Sequence, residues 1–331
     1  MRIRLSRDFK RKLKLAKKGN VDAQVEVAIC YLDGEGVEEN LNEAIKWFRL
    51  AADQGDSNAQ YAMGQFYEIG KGVEQSYIES AIWYELSAFQ GNAEAQVCLG
   101  EYYEYGHGVI KSEEEAVKWY KLASLQGNAD AQYLLGCCYN SGIGVEQSYP
   151  DALKWYRLAA DSGSNDAKYF IGQYYEIGIG VERSYEEAHK WYLRGARAGE
   201  SYCQYHLGLL YYYGLGVEEN ILEAIKWLRH ASFQNNEYAL IRLSELYFNG
   251  EGVEKNPDKG IELLKKAAAQ NNLEAELRLA ECYENGIDTK QSYREAIKWY
   301  KQASLQGNEY ATYKLNLFND EFLKQSSDYV C

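Results

Sequence analysis

Two prolines, two methionines and four histidines stand in 331 residues, and no long apolar run stands among them. A helix needs about 20 apolar residues to cross a bilayer, so no membrane-spanning helix is expected. The N-terminal stretch MRIRLSRDFKRKLKLAKKGN is basic but lacks a continuous apolar centre and a small-residue cleavage site. That makes it a poor secretory signal. The seven cysteines are odd in number, which argues against a full disulfide framework. Cys137 and Cys138 are adjacent but have no second pair at zinc-site spacing, so no metal is expected, and the thiols read mainly as small buried hydrophobes. His107, His189, His206 and His230 belong to no Ser/His/Asp set. The expectation is a non-enzymatic protein with no cofactor and no small-molecule substrate.

Basic residues are also short. Lys and Arg number 36 against 49 Asp and Glu, a net charge of −13. Residues 1–18 hold nine of the basic groups and one acid; the remaining 313 hold 27 basic and 48 acidic groups. A body this acidic repels nucleic acid and anionic membrane and favours a partner protein with a basic surface. The basic leader is able to touch an anionic surface, a role that deleting residues 1–18 would abolish. A solvated capping helix is the plainer reading.

Repetition is what the chain has in plenty. The stretch EYYEYGHGVIKSEEEAVKWY (101–120), with its histidine between glycines and its three glutamates, looks like an active site. QFYEIGKGVEQSYIESAIWY stands 36 residues before it and CCYNSGIGVEQSYPDALKWY 36 residues after, so it is one copy of a repeat. The frame divides the chain into a basic N-terminal cap (1–18), eight repeats (19–54, 55–90, 91–126, 127–162, 163–198, 199–234, 235–270, 271–306) and a C-terminal half repeat with a tail (307–331). A frame that fills the chain predicts one elongated array without a separate catalytic domain.

Within repeat 91–126, Asn92 is placed to cap a helix from about Ala93 to Tyr105, with Ala95, Leu99 and Tyr103 on one face. The Ala95 position is alanine in every repeat but one, where Cys203 stands, so neighbouring helices approach closely there. Gly106 is glycine in all eight repeats and predicts a left-handed helix stop. A phosphate-cradling reading of GHGV fails because helices, not a strand, precede it. Ser112 and Glu115 form a capping box, in which hydroxyl and carboxylate each satisfy an orphan donor of a second helix. Pro150 and Pro257 fall in the first turn of that helix, where the ring is tolerated. All seven tryptophans occupy the Trp119 position, which reads as packing.

The string GNADAQYLLGCCYNSGIGVEQSYPDALKWYRLAADSG (127–163) carries Ala131, Leu135, Gly136, Tyr139, Gly142, Gly144, Val145, Ala152, Trp155 and Ala159, which recur in phase. It resembles the Sel-one-like repeat (SLR), a relative of the tetratricopeptide repeat, over essentially the whole chain. The resemblance implies an all-α, right-handed superhelical solenoid of antiparallel helix pairs, with first helices on the concave side. It implies an adaptor or scaffold among bacterial signalling, virulence and inhibitor proteins; the poor secretory signal and the odd cysteine count make a cytoplasmic location the expectation, with delivery into a host cell left open. It implies no substrate, because the shared residues are structural. The disulfide pattern of exported, cysteine-rich relatives is missing.

Function is therefore expected where the repeats differ. Repeat positions 4, 8, 11 and 15 share a narrow arc about 130° from the core face, at roughly 100° per residue. The stripe is polar at Asp22, Glu26 and Asp33, mixed at Glu94 and Cys98, and later apolar, with Cys137 and Leu209 among its members. The candidate partner-binding residues on it are Glu101, Tyr105, Leu134, Phe170, Ile177, Tyr202, His206, Tyr213, Tyr238 and Arg242. They predict an aromatic, acid-edged groove over repeats three to seven that takes a protein or peptide. The competing reading buries the same residues between repeats. His206 stands three residues from Cys203, in reach of a pairing. Two roles fit: an adaptor joining two proteins, or an inhibitor or immunity-type protein that wraps and blocks one basic toxin or effector.

Overall fold

The computed structural model describes residues 6–327, with side chains as far as Phe318. Met1–Leu5 of the basic leader, the side chain of Asn319 and the seventh cysteine, Cys331, lie outside the described residues. Among the described residues all regular structure is helical. In chain order the helices are α1 (Arg7–Ala16), α2 (Val21–Asp33), α3 (Leu41–Ala52), α4 (Ser57–Ile69), α5 (Tyr77–Phe89), α6 (Ala93–Tyr105), α7 (Glu113–Leu125), α8 (Ala129–Ser141) and α9 (Tyr149–Asp161). They continue as α10 (Asn165–Ile177), α11 (Tyr185–Arg197), α12 (Ser201–Tyr213), α13 (Ile221–Phe233), α14 (Glu237–Asn249), α15 (Pro257–Ala268), α16 (Leu273–Asn285), α17 (Tyr293–Leu305) and α18 (Glu309–Ser327). Even-numbered helices up to α16 are the first helices of the repeats and odd-numbered ones from α3 the second. The chain forms two compact units, divided between Ala167 and Lys168. Within each, helices pack consecutively in solenoid order.

Each first helix starts on a side-chain cap and stops at a left-handed glycine. For α6, the Ala95 N–H donates to Asn92 Oδ1 at 2.9 Å, and Gly106 ends the helix at φ 77°. The next glycine has a tertiary reason: a Cβ on Gly108 would lie 2.1 Å from the carbonyl oxygen of Tyr77 in α5.

The second helices are capped by the expected Ser and Asn, but the capping box is only half made. The Glu115 N–H donates to Ser112 Oγ at 3.3 Å. The Ser112 N–H, which the carboxylate was expected to satisfy, donates instead to the Tyr103 carbonyl at 2.8 Å. The same bond recurs in every repeat, from Asn40 and Tyr31 to Ser292 and Tyr283. With its target already bonded, the Glu115 carboxylate pairs outward with Lys118 at 2.5 Å.

The core also shifts by one residue. Ala95 and Leu99 are buried as expected, but Tyr102 is buried beside them while Tyr103 is only partly so. The Tyr102 hydroxyl is 2.8 Å from Ser80 Oγ on α5, a partner that lets the ring go deep. Tyr120 of α7 lies over Gly100, where a Cβ would come within 2.4 Å of the ring. Its hydroxyl donates to Glu104 at 2.7 Å, and Tyr84–Glu68, Tyr192–Glu176 and Tyr300–Glu284 repeat the bond at 2.7, 2.6 and 2.6 Å. Where the tyrosine gives way to Phe48, Leu228 or Leu264, the glutamate gives way to Leu32, Tyr212 or Phe248.

Buried glutamines tie one repeat to the next. Gln96 donates to the Ala88 carbonyl and accepts from Gln126, at 3.1 and 2.8 Å. Gln24 and Gln60 in the first unit and Gln204 in the second are bonded alike. Gln132 donates to the Ser124 carbonyl at 3.3 Å, but its buried Oε1 has no partner, because Ser162 stands where Gln126 stands one repeat earlier.

Candidate partner-binding surface

In the first unit, α6 and α8 bring Glu101 and Leu134 to one depression of about 390 Å³. Glu94, Asp130 and Asp166 stand around it, and Tyr61, Val97, Cys98 and Tyr133 line its walls. Its lining, among the described residues, includes four carboxylates and no basic side chain. Burial raises the Glu101 carboxyl above its ordinary range, and the charges of Glu68, Glu104 and Asp130 push the same way. Burial also raises the Cys98 thiol to about 12, so it is a neutral wall rather than a nucleophile. Tyr105 is not among the lining residues: it is 63% exposed at the end of α6, its ring 5.8 Å from His107. His107, the histidine that makes the stretch look catalytic, stacks on Tyr77 with ring centres 4.9 Å apart.

In the second unit, α12 and α14 bring Tyr213, Tyr238 and Arg242 together around a cleft of about 190 Å³, with Leu209 and Tyr205 in its wall. Arg242 is held in place. Its guanidinium lies 4.1 Å from the centre of the Tyr212 ring and donates to Glu245 at 2.5 Å and to the Tyr213 hydroxyl at 3.3 Å. Glu245 in turn accepts from Arg278, which also pairs with Glu274 at 2.7 Å. Tyr202 joins by its ring, 5.6 Å from Tyr169 and 6.4 Å from Tyr238.

His206 does not pair with Cys203. Its Nδ1 lies 3.1 Å from Glu176 Oε2, and its ring stacks on Tyr192 at 5.0 Å. A carboxylate is the stronger partner for imidazole, and Cys203 is packed inward, where a Cβ on Gly195 would lie 2.3 Å from its sulfur. Burial alone would raise Glu176, but the hydrogen bond and charge of His206, with the Tyr192 hydroxyl, hold it below its ordinary value. Phe170 is partly buried, its ring 5.2 Å from Tyr169, and Ile177 is 57% exposed at the end of α10. Neither lines the cleft.

Sequence reasoning passed over Tyr61, Asp130, Tyr133, Asp166, Glu245 and Glu274. A signal for the acids was present: repeat position 4 reads Glu94, Asp130 and Asp166 in succession, then Tyr202 and Tyr238. Among the described residues no three of His, Cys, Asp and Glu gather as a metal site requires, and no helix is long and apolar enough to cross a membrane.

Consecutively packed helix pairs, alike in most buried positions and varied along one face, define a helical-repeat scaffold. The chain belongs to the Sel1 repeat family, whose model matches residues 21–56, 57–92, 93–128, 129–164, 165–200, 201–235, 237–272 and 273–308. These spans start two residues later than the frame counted from Gly19. Sel1 repeat proteins are protein-interaction scaffolds, generally without enzymatic activity. The fold is similar to that of a protective antigen of uropathogenic Escherichia coli strains with an SLR fold. That chain is 33% identical over 95% of this chain and 67% of its own, with a TM-score of 0.81. A Sel1 repeat protein from Oxalobacter formigenes is 25% identical over 95% and 90% of the two chains, with a TM-score of 0.72. No curated protein sequence matches significantly.

Proposed function

We propose that this chain is an adaptor-type scaffold that grips a partner protein by a basic segment laid along its first helices. The carrying observation is the first unit's depression, where Glu94, Glu101, Asp130 and Asp166 surround walls of Tyr61, Val97, Tyr133 and Leu134. A lysine or arginine side chain has the matching chemistry. Its methylene stem covers the apolar walls, the tyrosine faces attract its charge, and that charge offsets carboxylates whose burial and mutual repulsion already raise Glu101. The second unit's cleft supports the same reading: Tyr213, Tyr238 and the pinned Arg242 are residue types that dominate binding hot spots. Tyr105 belongs to the proposed binding residues of the first unit, and Phe170, Ile177, Tyr202 and His206 to those of the second.

Affinity capture from the native cell, comparing wild type with a Glu101→Gln/Asp130→Asn variant, tests this once circular dichroism shows that both fold alike. The expected outcome is a basic partner retained by wild type at low salt and lost by the variant. Equal capture by the two would remove these carboxylates from the interface. A captured partner whose own activity stops on binding would make the chain an inhibitor instead of an adaptor.

A further inference from the structure

Repeat position 6 carries the buried glutamines that tie one repeat to the next, and in the eighth repeat it carries Glu276. Glu276 is 1% exposed, and no other Asp or Glu among the described residues is buried. The five glutamines share one geometry. Each side-chain nitrogen donates to a carbonyl eight residues earlier, at 3.1–3.3 Å. In four of them the side-chain oxygen also accepts from the glutamine thirty residues later, at 2.6–2.9 Å. Glu276 keeps this second bond, its Oε2 accepting from Gln306 at 2.8 Å. The carbonyl eight residues before it belongs to Ala268, the last residue of α15. That carbonyl accepts from the Asn271 N–H at 3.0 Å, as the Ala88 carbonyl accepts from Gly91 at 2.9 Å. The turn around the tie is the same, and only the donor has changed.

A carboxylate has no hydrogen to offer a carbonyl, whereas a neutral carboxyl group presents one acceptor and one donor, as an amide does. We propose that Glu276 is a proton-dependent tie between the seventh and eighth repeats. As the neutral acid it stands in for glutamine, Oε2 accepting from Gln306 and the Oε1 hydroxyl donating to the Ala268 carbonyl. On ionisation the bond to α15 is lost. Among the described residues no ion pair compensates the charge. On α15, Lys259 and Lys266 pair with Glu262, and Lys265 lies over the Tyr283 ring. Lys298 of α17 pairs with Glu295, and Lys314 of α18 with Glu284. On α16 itself Arg278 pairs with Glu274 and with Glu245 of α14. Burial raises the Glu276 carboxyl, and among the described residues only the Gln306 amide lowers it; Glu237, Asp258, Glu281, Arg294, Lys301 and Glu309 do not act on it. The folded chain therefore holds this proton more tightly than the unfolded one. The tie is whole below 4.5 and is lost as pH rises through the raised value, loosening the packing of α15 against α16.

The test is hydrogen exchange of the full chain, followed by mass spectrometry over α15, α16 and α17, in wild type and Glu276→Gln. Comparing the two at one pH cancels the intrinsic exchange rate. Glutamine already stands at this position in five other repeats, so the substitution is compatible with the fold. The expected result is equal protection below pH 4.5. In mildly alkaline solution wild type should exchange about fivefold faster over these helices, the contribution of one hydrogen bond, while α2 to α7 exchange alike in both. Carbon-13 NMR of the Glu276 carboxyl should place its titration above 4.5. No difference between the chains at any pH would overturn the proposal, as would a difference of the same size at every pH, which a purely structural role produces. So would a Glu276 carboxyl that titrates at or below 4.5.

Discussion

A tyrosine hydroxyl placed between packed helices must find an acceptor, and here four such hydroxyls find a glutamate sixteen residues earlier, as in Tyr120 and Glu104. The single columns of the repeat read as "aromatic" and "acidic"; only the two together reveal the bond, because the glutamate is missing wherever the tyrosine is, while Tyr156, with Asn140 in the glutamate column, donates to Cys137 Sγ at 3.5 Å. The same holds for Cys203. Its burial was legible from the alanines that occupy its column, but its fit depends on Gly195, in a column where the other repeats carry alanine or serine. Gly195→Ala should therefore destabilise the protein by about 1–3 kcal/mol through overpacking. Adding Cys203→Ala should restore stability to at least the wild-type value, since the helix then gains about 1 kcal/mol from the lost glycine. Urea denaturation of the four proteins of the cycle measures this, and additive effects would show that sulfur and glycine do not meet.

At the scale of the helix, caps and stops were readable because their chemistry is local: Asn92 and Gly106 act within one turn of their own position. The capping box was not, because the Ser112 N–H is claimed by a carbonyl of the preceding helix, and tertiary competition leaves no trace in a four-residue motif. The glutamine ties belong to this scale as well. Gln132 has a buried Oε1 without a partner where Ser162 replaces glutamine, and an unmet buried acceptor costs about 1–3 kcal/mol. Ser162→Gln should recover part of that, raising stability by about 1 kcal/mol, read as a higher denaturation midpoint at unchanged slope. A drop would mean that the longer side chain does not reach Gln132.

For the molecule as a whole, the repeat frame and the helix pairs were legible, since eight copies average out the noise of any one. The division between Ala167 and Lys168 was not. The stripe located Glu101 and Leu134, Tyr213 and Arg242, but separated them from wall residues such as Tyr133 and Tyr205 that another column supplies. Charge makes one further statement at this scale. Glu101 is raised from 4.5, so the folded chain holds that proton more tightly than the unfolded one. Its ionised form opposes folding at neutral pH, and this penalty disappears as pH falls through the raised value toward 4.5. A bound cation lowers Glu101 again and expels the proton. Partner affinity should accordingly fall as the solution is acidified through that range, with calorimetric heats that depend on buffer ionisation. Glu101→Gln should flatten both dependences; an unchanged pH slope in the variant would assign the titration to another group.

The bond from the Ser112 N–H to the Tyr103 carbonyl joins residues nine apart. Because a counterpart exists in every repeat, little loop entropy is lost when any one helix pair closes. Such short-range closure favours rapid folding, and nucleation is open to several repeats at once, with structure growing outward as neighbours dock.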